Sequence, residues 1–327
     1  MTTDPNPGLP GPVPAASALA EGRAAARGKL PGGATTASPM PVGTIPVGAM
    51  LTGKARLAGV LGWPVAHSRS PRLHGFWLRR HGIDGAYLPL PVAPEDFAGA
   101  VRALVALGFR GVNVTIPHKE AAFALCDEVD DVARRMGAAN TLVFRDGRIH
   151  GSNTDGFGFT ESLAEQAPGW RAADGPAVLL GAGGAARAIA VALLQAGCPK
   201  LTIVNRGLAR AEELAAGLDG LVEVSATPPL ADAMLLVNST SLGMEGQPPL
   251  EIDLATMPAG AVVADAVYVP LETPLLAAAR ARGLRGVDGL GMLLHQARPG
   301  FAEWFGVMPV VDAELRHFVA ADIPRGR

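Results

Sequence analysis

Between Pro176 and Ala196 a short apolar run, Ala177-Val-Leu-Leu180, leads into Gly181-Ala182-Gly183-Gly184-Ala185-Ala186 and then into an apolar segment. A strand, a glycine-rich turn and a helix in that order is a narrow pattern, and G-x-G-x-x-A in that setting predicts one unit of a parallel α/β sheet. Gly181 permits the tight turn, Gly183 lets the backbone approach a pyrophosphate, and Ala186 keeps helix and strand close. Free N–H groups and the dipole at the helix start would then face the phosphates. Small residues also serve tight packing with no ligand. With strand before and helix after, the turn is read as a dinucleotide site.

The following strand, Leu201–Val204, ends at Asn205-Arg206, and Arg210 lies one turn into the next helix. NAD-binding units commonly place an acid here for the ribose 2′-OH, and NADP-binding units a basic residue. A guanidinium offers planar, bidentate donors suited to a phosphate. Solvated arginines are the alternative, but cations at a helix start are unfavourable without an anion. These residues point to NADP(H).

The N-terminal half alternates strands and helices as well. Strands are expected at Arg56–Gly62, Tyr87–Val92 and Gly111–Ile116. Helices are expected from Pro71 to Arg80 with Ser70 as N-cap, from Pro94 to Leu107, and from His118 to Met136 with a break near Asp127. Thr141–Phe144 and Arg148–His150 flank Asp146-Gly147, a hairpin signal. Phe157 to Gln166 reads as a linking helix. Further strands are expected at Leu235–Asn238 and Ala261–Ala266, and a long helix from Gly289. Strands alternating with helices imply an α/β protein with a mostly parallel sheet.

One lysine stands where chemistry would want it. In Gly111-Val-Asn-Val-Thr-Ile-Pro-His-Lys119, Val112, Val114 and Ile116 alternate with polar residues as in a half-buried strand, and Pro117 ends it. Lys119 thus opens the next helix, where the dipole gives a cation nothing and leaves it in need of an anion. Asp155, in the turn Gly151-Ser-Asn-Thr-Asp-Gly156, supplies a carboxylate. A surface lysine and a capping aspartate would look the same singly.

Ser68-Arg69-Ser70-Pro71, Asn113-Val-Thr-Ile-Pro-His-Lys119, Ala139-Asn140-Thr141, Asn153-Thr154-Asp155-Gly156 and Gly289-Leu-Gly-Met-Leu-Leu-His-Gln296 follow in one order. With the Gly181 turn, this set closely resembles the shikimate dehydrogenase family, from about Leu57 to the C-terminal helix. The resemblance implies reduction of 3-dehydroshikimate to shikimate with NADPH, and a cleft between two domains. A mostly parallel α/β substrate domain would span 51–155 together with returning helices at 290–327, and a Rossmann-like NADP domain 156–289.

Residue roles follow from the resemblance too. Ser68 and Ser70 would hold the substrate carboxylate with help from Tyr268. Thr115, Asn140, Asp155 and Gln296 would bond the ring hydroxyls, polar groups at strand ends that suit a polyol. Lys119 would pass a proton to and from the C3 oxygen as general acid and base, oriented by Asp155; a structural ion pair would make the same contact without chemistry. Asn205, Arg206 and Arg210 would clasp the 2′-phosphate, and Ala266 and Gly289 would touch the cofactor. Gly207 stands where the family has threonine, which removes a hydroxyl contact. Ser152 stands where an acid is usual, and His118 where an aromatic is common.

Rival readings are a quinate/shikimate dehydrogenase using NAD, a ligand sensor on the same fold without proton transfer, and another Rossmann enzyme such as a methylene-tetrahydrofolate dehydrogenase. Arg206 and Ser70 favour the NADP enzyme over the first. Retention of both Lys119 and Asp155 argues against the sensor, and the paired serines have no use in the third.

Composition sets the outer bounds. The 327 residues suggest two domains. A net charge of −2, a pI near 6.4 and 5% aromatic residues recommend neither nucleic acid nor an anionic membrane as partner. Cys126 and Cys198 have no metal-ligand or C-x-x-C spacing, which suits a reducing cytoplasm. His67 and His74 flank the serine turn without an acid, so no metal is expected, and the protein would be a monomer or homodimer. The first fifty residues hold nine prolines and eight glycines with no aromatic, and read as a disordered tail.

Overall fold

The computed structural model describes residues 51–324, and the tail expected at 1–50 lies outside them. In chain order the elements are β1 (Arg56–Gly62), α1 (Ser70–Arg80), β2 (Gly85–Pro91), α2 (Phe97–Ala106), β3 (Gly111–Val114), α3 (Lys119–Leu125), β4 (Glu128–Val129), α4 (Asp131–Met136), β5 (Thr141–Arg145) and β6 (Arg148–Ser152). There follow α5 (Asp155–Gln166), β7 (Ala177–Leu180), α6 (Gly184–Gln195), β8 (Leu201–Val204), α7 (Leu208–Ala216), β9 (Val222–Ser225), β10 (Leu235–Asn238), β11 (Val262–Asp265), α8 (Pro274–Ala281), β12 (Arg285–Val287), α9 (Gly289–Phe305) and α10 (Ala313–Ala320).

The strands form two six-stranded sheets, so the fold is α/β with two domains. The first sheet runs β2-β1-β3-β5-β6-β4. It is mixed: β5 is antiparallel to both β3 and β6, and the other pairings are parallel. The hairpin of β5 and β6 turns at Asp146 and Gly147, both at positive φ, the conformation an Asp-Gly turn supplies. The expected break near Asp127 is more than a kink, because β4 pairs there with β6. Ser70 is not an N-cap. Arg69 holds that position without a side-chain bond, and the Ser68 hydroxyl accepts the Ser70 N–H at 3.3 Å.

The second sheet is wholly parallel, in the order β12-β11-β10-β7-β8-β9. Strand β7 is followed by β8 on one side and β10 on the other, so the order reverses between β7 and β10. Ligands of open α/β sheets bind at that crevice, outside the carboxyl ends of the strands.

Each sheet is covered on both faces. On the first, α1, α9 and α10 bury Trp77, Phe301, Trp304 and Leu315, and the opposite face packs Phe97, Val101 and Leu142. Each large apolar side chain so buried contributes ~1.5–3 kcal/mol. On the second sheet, α5, α6 and α7 cover one face and α8 the other. Helices α5 and α9 lie so close that a Cβ on Gly158 would stand 2.7 Å from Gln296 Cβ. Glycine there lets the one helix carry Asp155 at its start while the other presents Gln296.

Candidate active site

The first sheet supplies a polar floor through simple strand alternation. Val112 and Val114 are buried, and Asn113 between them faces the other way. Beyond Val114 the chain leaves the ladder at Thr115 and re-enters regular structure at Lys119, the first residue of α3. Asp155 stands likewise at the start of α5, where the dipole favours an anion.

A cavity of about 140 Å³ opens over these ends. Ser68, Ser70, Thr115, Lys119, Asn140, Asp155, Tyr268 and Gln296 all line it. The serines come from the turn before α1 and the first residue of that helix, Tyr268 from the segment after β11, and Gln296 from the middle of α9. Arg69 lines the cavity too, but its guanidinium bonds the Val319 carbonyl and Asp322.

Lys119 Nζ lies 2.5 Å from Asp155 Oδ2, with a quarter of the lysine side chain exposed and the aspartate nearly buried. Asn140 Nδ2 donates to Asp155 Oδ1 at 2.7 Å and reaches Gln296 Oε1 at 3.3 Å. Asn140 Oδ1 accepts from the Thr154 N–H, the Thr154 hydroxyl and the Thr141 hydroxyl. The Asp155 carboxylate is therefore held from both sides, and the ammonium beside it faces the cavity. This arrangement can bind a small polyhydroxylated ring and exchange a proton with one of its oxygens.

The second sheet carries a glycine-rich turn at the end of β7. Gly181 has φ +106°, and a Cβ there would stand 2.8 Å from Ser239 Oγ, so the turn needs glycine. Among the described residues nothing lies within 4 Å of a Cβ on Gly183 or Gly184. Helix α6 begins there without a side-chain cap, which leaves its first N–H groups unclaimed. Ala182 and Ala185 complete the turn, with Ala186 fully buried behind it. Arg206 and Arg210 are exposed, and neither has an ion-pair partner among the described residues. The Asn205 amide bonds the Gly207 carbonyl at 2.9 Å, so it shapes its own turn. Ala266 and Gly289 are in contact at the end of β11. An open glycine cradle, an uncapped helix start and two unpaired guanidiniums fit a dinucleotide bearing an extra phosphate.

His118 is buried, stacked on Phe97, with Nε2 2.8 Å from the Val92 carbonyl oxygen. It packs away from the site. Among the described residues no group of three or more His, Cys, Asp or Glu is arranged to hold a metal.

Two buried polar clusters escaped the sequence reading. Asp265, at the end of β11, accepts from Asn238 Nδ2 at 2.9 Å, Thr273 Oγ1 at 2.6 Å and the Val267 N–H at 3.0 Å. Burial pushes its carboxyl up to about 6 against those bonds. Behind the polar cavity, His74 is fully buried and stacked on Tyr87, with ring centroids 3.9 Å apart. The Tyr87 hydroxyl donates to Asn113 Oδ1 at 2.6 Å. Polar residues at strand ends in otherwise apolar stretches were the available signal.

Comparison with known proteins accords with this geometry. Residues 60–142 match the model of the shikimate dehydrogenase substrate binding domain, and residues 162–240 that of shikimate / quinate 5-dehydrogenase. A curated relative from Rhodospirillum rubrum, named shikimate dehydrogenase (NADP(+)), is 62% identical over 82% of this chain and 98% of its own length. The structure of shikimate 5-dehydrogenase from Thermus thermophilus in complex with NADP(H) and shikimate covers 81% of this chain and 98% of that one, at 38% identity and a TM-score of 0.72. Quinate dehydrogenase from Corynebacterium glutamicum in complex with NAD is similar at 32% identity over 82% of this chain and 99% of that one, with a TM-score of 0.75. The sequence identity, maintained over nearly the full length of the relatives, shows that this chain belongs to the shikimate dehydrogenase family.

Proposed function

We propose that this chain catalyses the NADP-dependent, reversible reduction of 3-dehydroshikimate to shikimate. The observation that carries the reading is the Lys119–Asp155 pair, set 2.5 Å apart at the wall of a polar cavity. Asn140 and Gln296 adjoin the pair, and Ser68, Ser70 and Tyr268 line the same space. Two serine hydroxyls and a tyrosine can bind a carboxylate without a buried counter-charge. Thr115, Asn140, Asp155 and Gln296 then hold the ring hydroxyls and so fix the C3 carbonyl beside Lys119.

When bound, NADPH supplies the hydride. As C3 is reduced, its oxygen gains negative charge, and Lys119 Nζ gives that oxygen a proton; in the reverse direction the neutral amine takes it back. Asp155 Oδ2 orients the ammonium, and Oδ1 is held by Asn140, so the carboxylate does not swing. Arg206 and Arg210 are assigned to the 2′-phosphate, Asn205 to shaping their turn, and Gly181 to Ala185 to the pyrophosphate. Ala266 and Gly289 are assigned to the nicotinamide end. The domains are assigned as 51–155 with 290–327 for substrate and 156–289 for cofactor. The free cysteines Cys126 and Cys198 support a cytoplasmic setting. A charge balance of −2 supports a small-molecule enzyme with no nucleic-acid or membrane partner, and a monomer or homodimer is the assembly assigned to it.

The test is kcat/KM for shikimate oxidation with NADP⁺ and with NAD⁺, and for quinate with each. NADP⁺ with shikimate is expected to lead. A lead for quinate with NAD⁺ would move the chain to the other branch of the family. Absence of turnover with every pair would leave a ligand sensor.

A further inference from the structure

Tyr87 is not among the residues lining the cavity, yet its hydroxyl begins a run of hydrogen bonds that ends in it. The phenol donates to Asn113 Oδ1 at 2.6 Å. Asn113 Nδ2 donates to Thr141 Oγ1 at 3.1 Å and to the Asn140 carbonyl at 3.2 Å. Thr141 Oγ1 donates to Asn140 Oδ1 at 2.9 Å, and Asn140 Nδ2 donates to Asp155 Oδ1 at 2.7 Å. Apart from the branch to the Asn140 carbonyl, every bond points the same way, toward the carboxylate that holds Lys119.

The direction is set by exhaustion of partners. Both Asn113 Nδ2 hydrogens are used on Asn140 and Thr141, so its oxygen needs a donor, and Tyr87 is that donor. The Thr141 hydroxyl receives Asn113 and therefore gives its own hydrogen to Asn140 Oδ1. With Oδ1 so occupied, the Asn140 amide turns its NH₂ to Asp155. The reverse orientation would set an amide oxygen against a carboxylate, which is repulsive. Bonds in such a chain polarise one another in a low-dielectric interior. The Tyr87 ring is fixed by His74, which lies parallel to it with an interplanar angle of 1°. Burial holds the phenol's pKa well above its ordinary value, so it keeps the proton it donates.

We propose that Tyr87 is a positioning residue for the proton-transfer pair, acting through Asn113, Thr141 and Asn140 to keep the Asn140 amide directed at Asp155. The proposal rests on the assignment of Lys119 and Asp155 given above.

Tyr87→Phe removes the first donor and leaves the ring stack. It is expected to lower kcat for shikimate oxidation about two- to tenfold, the worth of one hydrogen bond, with KM for NADP⁺ unchanged. Thr141→Val cuts the chain in the middle and should give a similar loss, while Thr141→Ser, which keeps the hydroxyl, should recover most of it. Residues acting in one network are not additive, so Tyr87→Phe with Thr141→Val should lose less than the product of the single losses. A purely structural Tyr87 would lower the melting temperature and leave kcat alone; that result, or two fully multiplicative losses, overturns the proposal. Tyr87→Phe decides the matter by itself where Thr141→Val does not fold. If the parent protein does not turn over shikimate, the underlying assignment fails first and takes this proposal with it. Parent activity with unaltered variants overturns the positioning role alone.

Discussion

Asn238 and Asp265 face each other as the last registered pair of β10 and β11, joined by a 2.9 Å hydrogen bond. Both are buried at the carboxyl ends of their strands, where the chain leaves the sheet toward Ser239–Leu242 and Ala266–Tyr268. Asn238 Oδ1 accepts from the Thr240 N–H and hydroxyl, and Nδ2 also reaches the Leu242 carbonyl. Asp265 ties the second loop to the N-cap of α8 through Thr273. One buried carboxylate therefore frames both loops beside the sheet's switch point.

That carboxylate gives a stability signature with a defined sign. Burial raises its folded pKa from 3.8 to about 6, so the folded state holds the proton more tightly than the unfolded one. The associated stability is full below 3.8 and is lost as pH rises through about 6. Two units correspond to roughly 3 kcal/mol. Unfolding free energies of the parent and Asp265→Asn, measured from pH ~4 to ~7, should change in difference by about that amount, with the parent losing ground as pH rises. A pH-independent difference would show that Asp265 titrates normally.

His74 should act in the opposite direction. It is fully buried, its ring nitrogens have no hydrogen-bond partner among the described residues, and burial lowers its pKa from 6.5 to about 3. Its contribution is complete above 6.5 and is lost as pH falls toward 3, because the unfolded chain takes up a proton the folded one refuses. His74→Phe should flatten the acid limb of the stability curve by about one proton. An unchanged slope would mean that the ring is protonated in place.

In the proposed function, cofactor choice rests on the two arginines after β8. A charge-assisted hydrogen bond contributes ~1.5–3 kcal/mol, so Arg206→Ala should raise KM for NADP⁺ about 10- to 100-fold and leave the NAD⁺ reaction nearly as it was. Equal losses with both cofactors would place Arg206 in the fold of the turn and away from the phosphate.

Strand and helix alternation was legible because each element of the sheets is short, regularly patterned and punctuated by Gly or Pro. The Asp146-Gly147 hairpin and the glycine turn at Gly181 carry their own conformational signatures. Less legible were β9 and β12, only four and three residues long and too short for a period to register, and the antiparallel β5, since a hairpin does not reveal how it joins a sheet. Ser70 resembles a cap because serine before a helix usually is one; the helix instead starts one residue earlier, and Ser68 accepts its N–H. Together with Lys119, the residues named around it come from six separate segments and meet at one cavity. Family resemblance, more than periodicity, brought them together. The Tyr87 and Asp265 networks stayed hidden because a buried hydrogen bond depends on which polar side chains face each other across strands.

The proposed mechanism makes Lys119 the group that moves the proton. Lys119→Ala removes the ammonium and leaves Ser68, Ser70, Asn140 and Gln296 in the cavity, so substrate binding should persist. A positioned acid/base contributes ~10²–10⁴-fold, and kcat for shikimate oxidation by this variant should drop by that order with KM little changed, the pattern of an interaction made in the transition state. A kcat close to the parent's with a sharply raised KM would contradict the mechanism and make Lys119 a binding residue.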